Sequence, residues 1–154
     1  MISYDLSLMI KTICVLLWCS VAITCYAQEY VSWDELADVT WTEQYDSTIT
    51  MSISRADFGP LAIKYDQKEV YITGYVIPLD ALGLSFALSR NSYAACFFCG
   101  QAGPETVMDL YVAPGHIPKN KYNNSPLNFK GTLILKQVNP TGFNYALENA
   151  TLIH

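Results

Sequence analysis

Two cysteines, in the stretch Cys96-Phe97-Phe98-Cys99-Gly100-Gln101-Ala102-Gly103-Pro104-Glu105, are the residues of this chain best suited to chemistry. Thiols at C-x-x-C spacing can close on one metal ion, form a short disulfide, or exchange electrons with another thiol pair. A zinc ion takes four ligands, so two sulfurs need further donors. Glu105, just beyond the pair, and His116, at the start of a long loop, supply candidates. Asp109 lies between them, and His154 is the last residue. The metal reading is therefore Cys96, Cys99, Glu105 and His116 around zinc. With the two sulfurs alone, Cu(I) is the better match, because it accepts few, soft ligands. The disulfide reading joins Cys96 to Cys99 and leaves Phe97 and Phe98 to packing. A thiol-disulfide oxidoreductase needs a thiolate stabilised by positive charge or a helix N-terminus. The neighbours here are apolar, and Arg90 is the nearest cation in sequence. Covalent haem attachment is excluded, because Gly100 stands where a histidine is required.

The compartment decides how such thiols behave. Lys11 leads into an apolar run over residues 13–23, and small Ala27 precedes Gln28. This is the pattern of a secretory signal peptide over residues 1–27. The run is short of the about 20 residues that cross a bilayer. Attachment of lipid to Cys25 is an alternative to cleavage after Ala27. Either route takes Cys14 and Cys19 away and leaves Cys96 and Cys99 in an oxidising space, the periplasm or cell envelope. No membrane span is expected in residues 28–154, which have the length of one domain. The formal net charge is −5, and it is unchanged when Asp5 and Lys11 depart. An acidic chain without a basic stripe argues against nucleic acid as a partner.

The elements that must carry the pair read as short strands. Ser32-Trp33-Asp34-Glu35 opens a helix with a capping box, and Trp33 and Leu36 form its apolar stripe. Strands are expected over residues 48–54, 68–78, 84–89 and 106–112, with a closing hairpin of residues 130–138 and 143–152. Within residues 68–78, Val70, Ile72 and Val76 face one way, and Tyr71, Thr73, Tyr75 and Ile77 the other. Leu84, Phe86 and Leu88 form one face of the next strand, and Phe143, Tyr145 and Leu147 the core face of the last. Gly74 marks a bend of the kind a small sheet needs to curl. Asn139-Pro140-Thr141-Gly142 supplies a turn, and residues 113–128 form a long loop. The fold class is all-β with one short N-terminal helix, a small OB-like, partly closed barrel. A β-sandwich is the alternative, and the absence of βαβ units argues against a thioredoxin fold.

Gly74-Tyr75-Val76-Ile77-Pro78, then Phe86-Ala87-Leu88-Ser89, the Cys96 cluster and the strand at residues 107–112 resemble a bacterial exported family of unknown function, DUF3299. The likeness covers about residues 68–112. Cys99 and the Ala102-Gly103-Pro104-Glu105 continuation depart from the family's single-cysteine pattern. The resemblance implies a small secreted or lipid-anchored OB-like protein working beside a membrane transport complex, and it brings no catalytic residues. The expected function is a non-enzymatic binding or accessory protein of the envelope that handles zinc or copper through the C-x-x-C loop. A thiol-disulfide oxidoreductase and a structural module with a C-x-x-C disulfide are the alternatives.

Overall fold

The computed structural model describes residues 29–47, 50–92, 102–116 and 125–153. Its elements are α1 (Trp33–Leu36), β1 (Val39–Asp46), β2 (Met51–Phe58), α2 (Pro60–Ile63), β3 (Glu69–Pro78), β4 (Phe86–Ser89), a 3-10 turn (Pro104–Thr106), β5 (Val107–Val112), β6 (Leu127–Leu135) and β7 (Tyr145–Ile153). Five strands close a barrel in the order β3-β4-β5-β7-β6, and β1 and β2 form a separate two-stranded sheet. Every barrel pairing is antiparallel except β5 with β7. The barrel is therefore OB-like and closed, and the sandwich alternative falls away.

Closure depends on β3 serving two partners. Its first half, Glu69 to Gly74, pairs with β6, and its second half, Tyr75 to Pro78, pairs with β4. Gly74 is the residue at the change of partner. A Cβ there would sit 2.9 Å from both Leu88 Cγ and the Ser89 carbonyl oxygen. The bare backbone is what lets β3 cross so close to β4. Gly131 plays a matching part in β6, where a Cβ would meet the Glu148 carbonyl oxygen at 2.8 Å.

The alternation expected in β3 is observed. Val70, Ile72 and Val76 are buried in the interior with Phe86, Leu88, Met108, Leu110, Phe129, Leu133, Tyr145 and Leu147. Ile77 turns outward into a small second cluster with Ala87 and Val107, against which Phe143 packs. Phe143 thus leaves the main core face assigned to it. Leu84 does so more completely: β4 begins only at Phe86, and Leu84 is 70% exposed in the preceding loop. Strand β1, with its charged and polar residues, and the short helix α2 escape a reading based on alternation. The strand expected over residues 48–54 is Met51–Phe58, shifted toward the C-terminus and paired with β1.

Helix α1 is too short to stand alone and is held by contacts at both ends. The Glu35 N–H donates to Ser32 Oγ at 3.2 Å, and Glu35 Oε2 accepts from the Ser32 N–H at 3.0 Å, completing the capping box. Glu35 Oε1 also receives Lys64 Nζ at 2.7 Å and the Tyr65 hydroxyl at 2.8 Å. Leu36 is fully buried in the barrel core. Its carbonyl, left open at the helix end, accepts the Tyr145 hydroxyl at 2.7 Å. Tyr145 is itself buried and edge-on to Phe58, with ring centroids 5.2 Å apart. The helix closes the barrel end at which β5 and β7 begin.

Two outcomes follow. Gly74→Ala will lower unfolding stability by about 1–3 kcal/mol, because backbone as well as side chain must give way, and urea denaturation reads it. The Lys64 hydrogen bond, followed by those from Ser32 and Tyr65, lowers the Glu35 pKa from 4.5 to about 2. A depressed carboxyl pKa stabilises the fold above 4.5, and that contribution is lost as the pH falls toward 2. Glu35→Gln will therefore cost about 1–2 kcal/mol at neutral pH, a figure reduced for solvent screening of these partly exposed ions. The gap between the two proteins will close between pH 4.5 and 2 in pH-dependent denaturation.

Candidate functional site

Cys96 and Cys99 lie outside the described residues, but the stem that carries them is described. They belong to the connection between β4 and β5, which pair from Ser89 opposite Val107. One further bond, Arg90 N–H to the Thr106 carbonyl at 2.9 Å, ties the two sides together. The incoming side also carries an exposed ion pair, Arg90 to Asp34, at 2.9 Å. On the outgoing side, the Thr106 hydroxyl donates to the Gly103 carbonyl at 2.7 Å. Pro104, at the first position of the 3-10 turn, needs no N–H partner there. A Cβ on Gly103 would meet only the Glu105 carboxylate, the movable end of a flexible side chain.

Glu105 and His116 are not brought together. Glu105 precedes β5 and His116 follows it, so the six-residue strand separates them by about 20 Å. Glu105 Oε2 accepts from Trp41 Nε1 at 3.3 Å, which ties the stem to β1. His116 Nδ1 lies 3.1 Å from the Pro114 carbonyl in the turn after β5. One ion cannot hold both residues. Glu105 is the member of the expected pair that stays beside the thiol-bearing connection. Among the described residues, no group of three or more His, Cys, Asp or Glu side chains is placed to hold a metal.

Asp109 faces neither end. It points outward from the middle of β5 beneath the turn between β6 and β7. Its Oδ2 accepts the Phe143 N–H at 3.1 Å, and a Cβ on Gly142 would lie 2.6 Å from that oxygen. The side chain is buried, and this burial raises its pKa against the opposing Phe143 hydrogen bond and the Lys136 charge.

Asp109 also borders an open cleft of about 460 Å³, with Leu79, Leu84, Phe86, Tyr111 and Pro114 around it. The β3–β4 loop forms one wall in a fixed shape. Asp80 Oδ2 accepts the Ser85 N–H at 2.6 Å and Oδ1 accepts the Leu84 N–H at 3.1 Å. The Gly83 N–H donates to the Asp80 carbonyl at 3.2 Å, with φ of 63° that favours glycine. The loop's one carboxylate is thereby consumed internally. Leu82 and Leu84 are left 78% and 70% exposed. Lys136 Nζ stands 5.9 Å from the Tyr111 ring on the other side. The cleft is lined by apolar side chains and polar groups in nearly equal measure, with Asp109 the one carboxylate on its wall.

No protein-family model matches the chain, and no curated protein matches it. The chain is similar in fold to a DUF3299 family protein from Pseudomonas aeruginosa. That crystal structure superposes with a TM-score of 0.52 at 17% identity, over 83% of this chain and 97% of the other. At this identity the likeness is one of fold, and it agrees with the resemblance drawn from the motifs between residues 68 and 112.

The cleft is not legible as a site in the sequence, because alternation assigns Leu84 to a strand. The available signal was Pro78-Leu79-Asp80-Ala81-Leu82-Gly83-Leu84, where an acid and a glycine punctuate an apolar run too short for a strand. Asp109→Asn will keep the acceptor for the Phe143 N–H while removing the buried charge. The raised pKa means the charge opposes folding above it and ceases to do so as the pH falls through it. The variant will therefore gain stability over the parent at pH 7, and acid titration of unfolding free energy will show the advantage vanish.

Proposed function

We propose that this protein is a non-enzymatic binding or accessory protein of the bacterial cell envelope, exported on residues 1–27. The observation that supports the reading best is the preformed cleft beside the rigid Leu82–Leu84 edge. A concave site bordered by the exposed Leu79 and Leu84 has the character of a recognition surface. Its occupant in this reading is a component of a membrane transport complex. No helix among the described residues is long and apolar enough to cross a membrane. Cys96 and Cys99 would serve the same role at the other end by holding zinc or copper, with Glu105 the described carboxylate on their stem. Either ion would act as cargo or as a clasp on the connection, and His116 has no part in it.

The test has two measurements on one preparation. The full chain is produced in a bacterial host, fractionated, and weighed by mass spectrometry. Envelope-fraction protein lacking the first 27 residues supports the reading; unprocessed chain in the cytoplasm overturns it. The purified protein is then assayed for zinc and copper beside Cys96→Ser and Cys99→Ser. Near-stoichiometric metal that falls by at least about tenfold in both variants is expected. Equal and negligible metal in all three removes the metal role and leaves the binding role to the cleft.

A further inference from the structure

The segment Glu29 to Val31, ahead of α1, lies alongside β3 as a short parallel bridge. The Tyr71 N–H donates to the Glu29 carbonyl at 3.0 Å, and the Val31 N–H to the Tyr71 carbonyl at 2.9 Å. Val31 is buried in the barrel core and anchors the segment. Tyr30 therefore projects from a fixed backbone onto the outer face of β3, directly beside Tyr71. The ring centroids are 5.1 Å apart with planes tilted by 32°, and Tyr30 remains 68% exposed. An exposed tyrosine on a hydrogen-bonded backbone and backed by a second ring presents an aromatic face to solvent.

Polar groups surround the rings at the same level. Lys130 is the cross-strand neighbour of Tyr71, and Asn128 that of Thr73, all on the outer face because Val70, Ile72 and Phe129 take the inner one. Lys130 Nζ pairs with Glu69 Oε1 at 2.8 Å and stands 5.8 Å from the centre of the Tyr71 ring. The Thr73 hydroxyl donates to Asn128 Oδ1 at 2.6 Å, and Asn128 is exposed. Trp33 reaches the same edge, its Nε1 donating to the Thr73 carbonyl at 2.8 Å.

We propose that this outer face of β3 and β6 is a binding site for an uncharged oligosaccharide. A pyranose ring presents an apolar C–H face and a rim of hydroxyls. Tyr30, supported by Tyr71, offers the flat apolar surface. Asn128 and the Lys130–Glu69 pair offer donors and an acceptor at the rim. Charge selects the class of glycan. The Lys130–Glu69 and Lys68–Glu29 pairs cancel locally, and the whole chain carries −5. A polyanion, whether a nucleic acid or an acidic glycan, would meet repulsion without a basic stripe to offset it. The site is separate from both the cleft and the thiol connection, so it does not depend on either role assigned to them.

Isothermal titration calorimetry of the purified chain with cellohexaose, chitohexaose and maltohexaose tests the proposal, with a thymidine decamer as comparison. Saturable binding of at least one hexasaccharide is expected, weakened about tenfold by Tyr30→Ala and by Asn128→Ala. Leu84→Ser in the cleft should leave it unchanged. Tyr30 is exposed and Asn128 lies at the surface, so circular dichroism of both variants should match the parent. Absence of binding to all three sugars overturns the proposal. So does binding that both variants retain, or a preference for the decamer over every sugar.

Discussion

A strand that pairs with β6 in its first half and β4 in its second must cross the barrel, and everything else is arranged around that crossing. Gly74 makes it sterically feasible, with the Ser89 carbonyl oxygen 2.9 Å from where a side chain would begin. Once β3 is bent there, its inner residues reach one core and Ile77 reaches another. The crossing also leaves one edge of the first half of β3 without a barrel neighbour. The Glu29 to Val31 segment fills that edge with backbone hydrogen bonds. The Tyr30 platform is thus a by-product of how the barrel closes.

The two regions with chemical interest sit at opposite ends of β5, and their supports differ in kind. The thiol connection is held by backbone pairing, the Pro104–Thr106 turn and an ion pair to α1. The cleft wall is held by one carboxylate, Asp80, whose pKa is lowered chiefly by the Leu84 backbone hydrogen bond and further by those from Ser85 and Gly83. An exposed carboxylate that accepts several N–H groups acts as a local organiser of the loop.

Local signals with a direct backbone consequence were readable in the sequence. The capping box at Ser32 and Glu35, the alternation along β3, the mid-strand Gly74 and the turn at residues 139–142 all reappear in the fold. What escaped depended on distant partners. β1 is a strand chiefly because it faces β2, so its own sequence carries little of the signal. Leu84 belonged by pattern to β4 but was captured by the Asp80 carboxylate. Phe143 belonged by pattern to the main core but fell on the outer cluster, because the hairpin begins two residues later at Tyr145. The association of Glu105 with His116 failed for a simpler reason. Proximity in sequence across a strand means separation in space, since an extended segment is the least compact path between two points.

The strand that joins β5 to β6 is β7, and it follows both of them in the chain. Until β7 is present, β5 and β6 have no pairing to bring them together, and the interior faces of Leu110 and Leu133 lack the cover of Tyr145 and Leu147. The carbonyl of Leu36, more than a hundred residues earlier, waits on the same strand for its hydroxyl donor. Ring closure therefore rests on long-range contacts made by the last strand. A growing chain of this kind cannot close its barrel until β7 has been made.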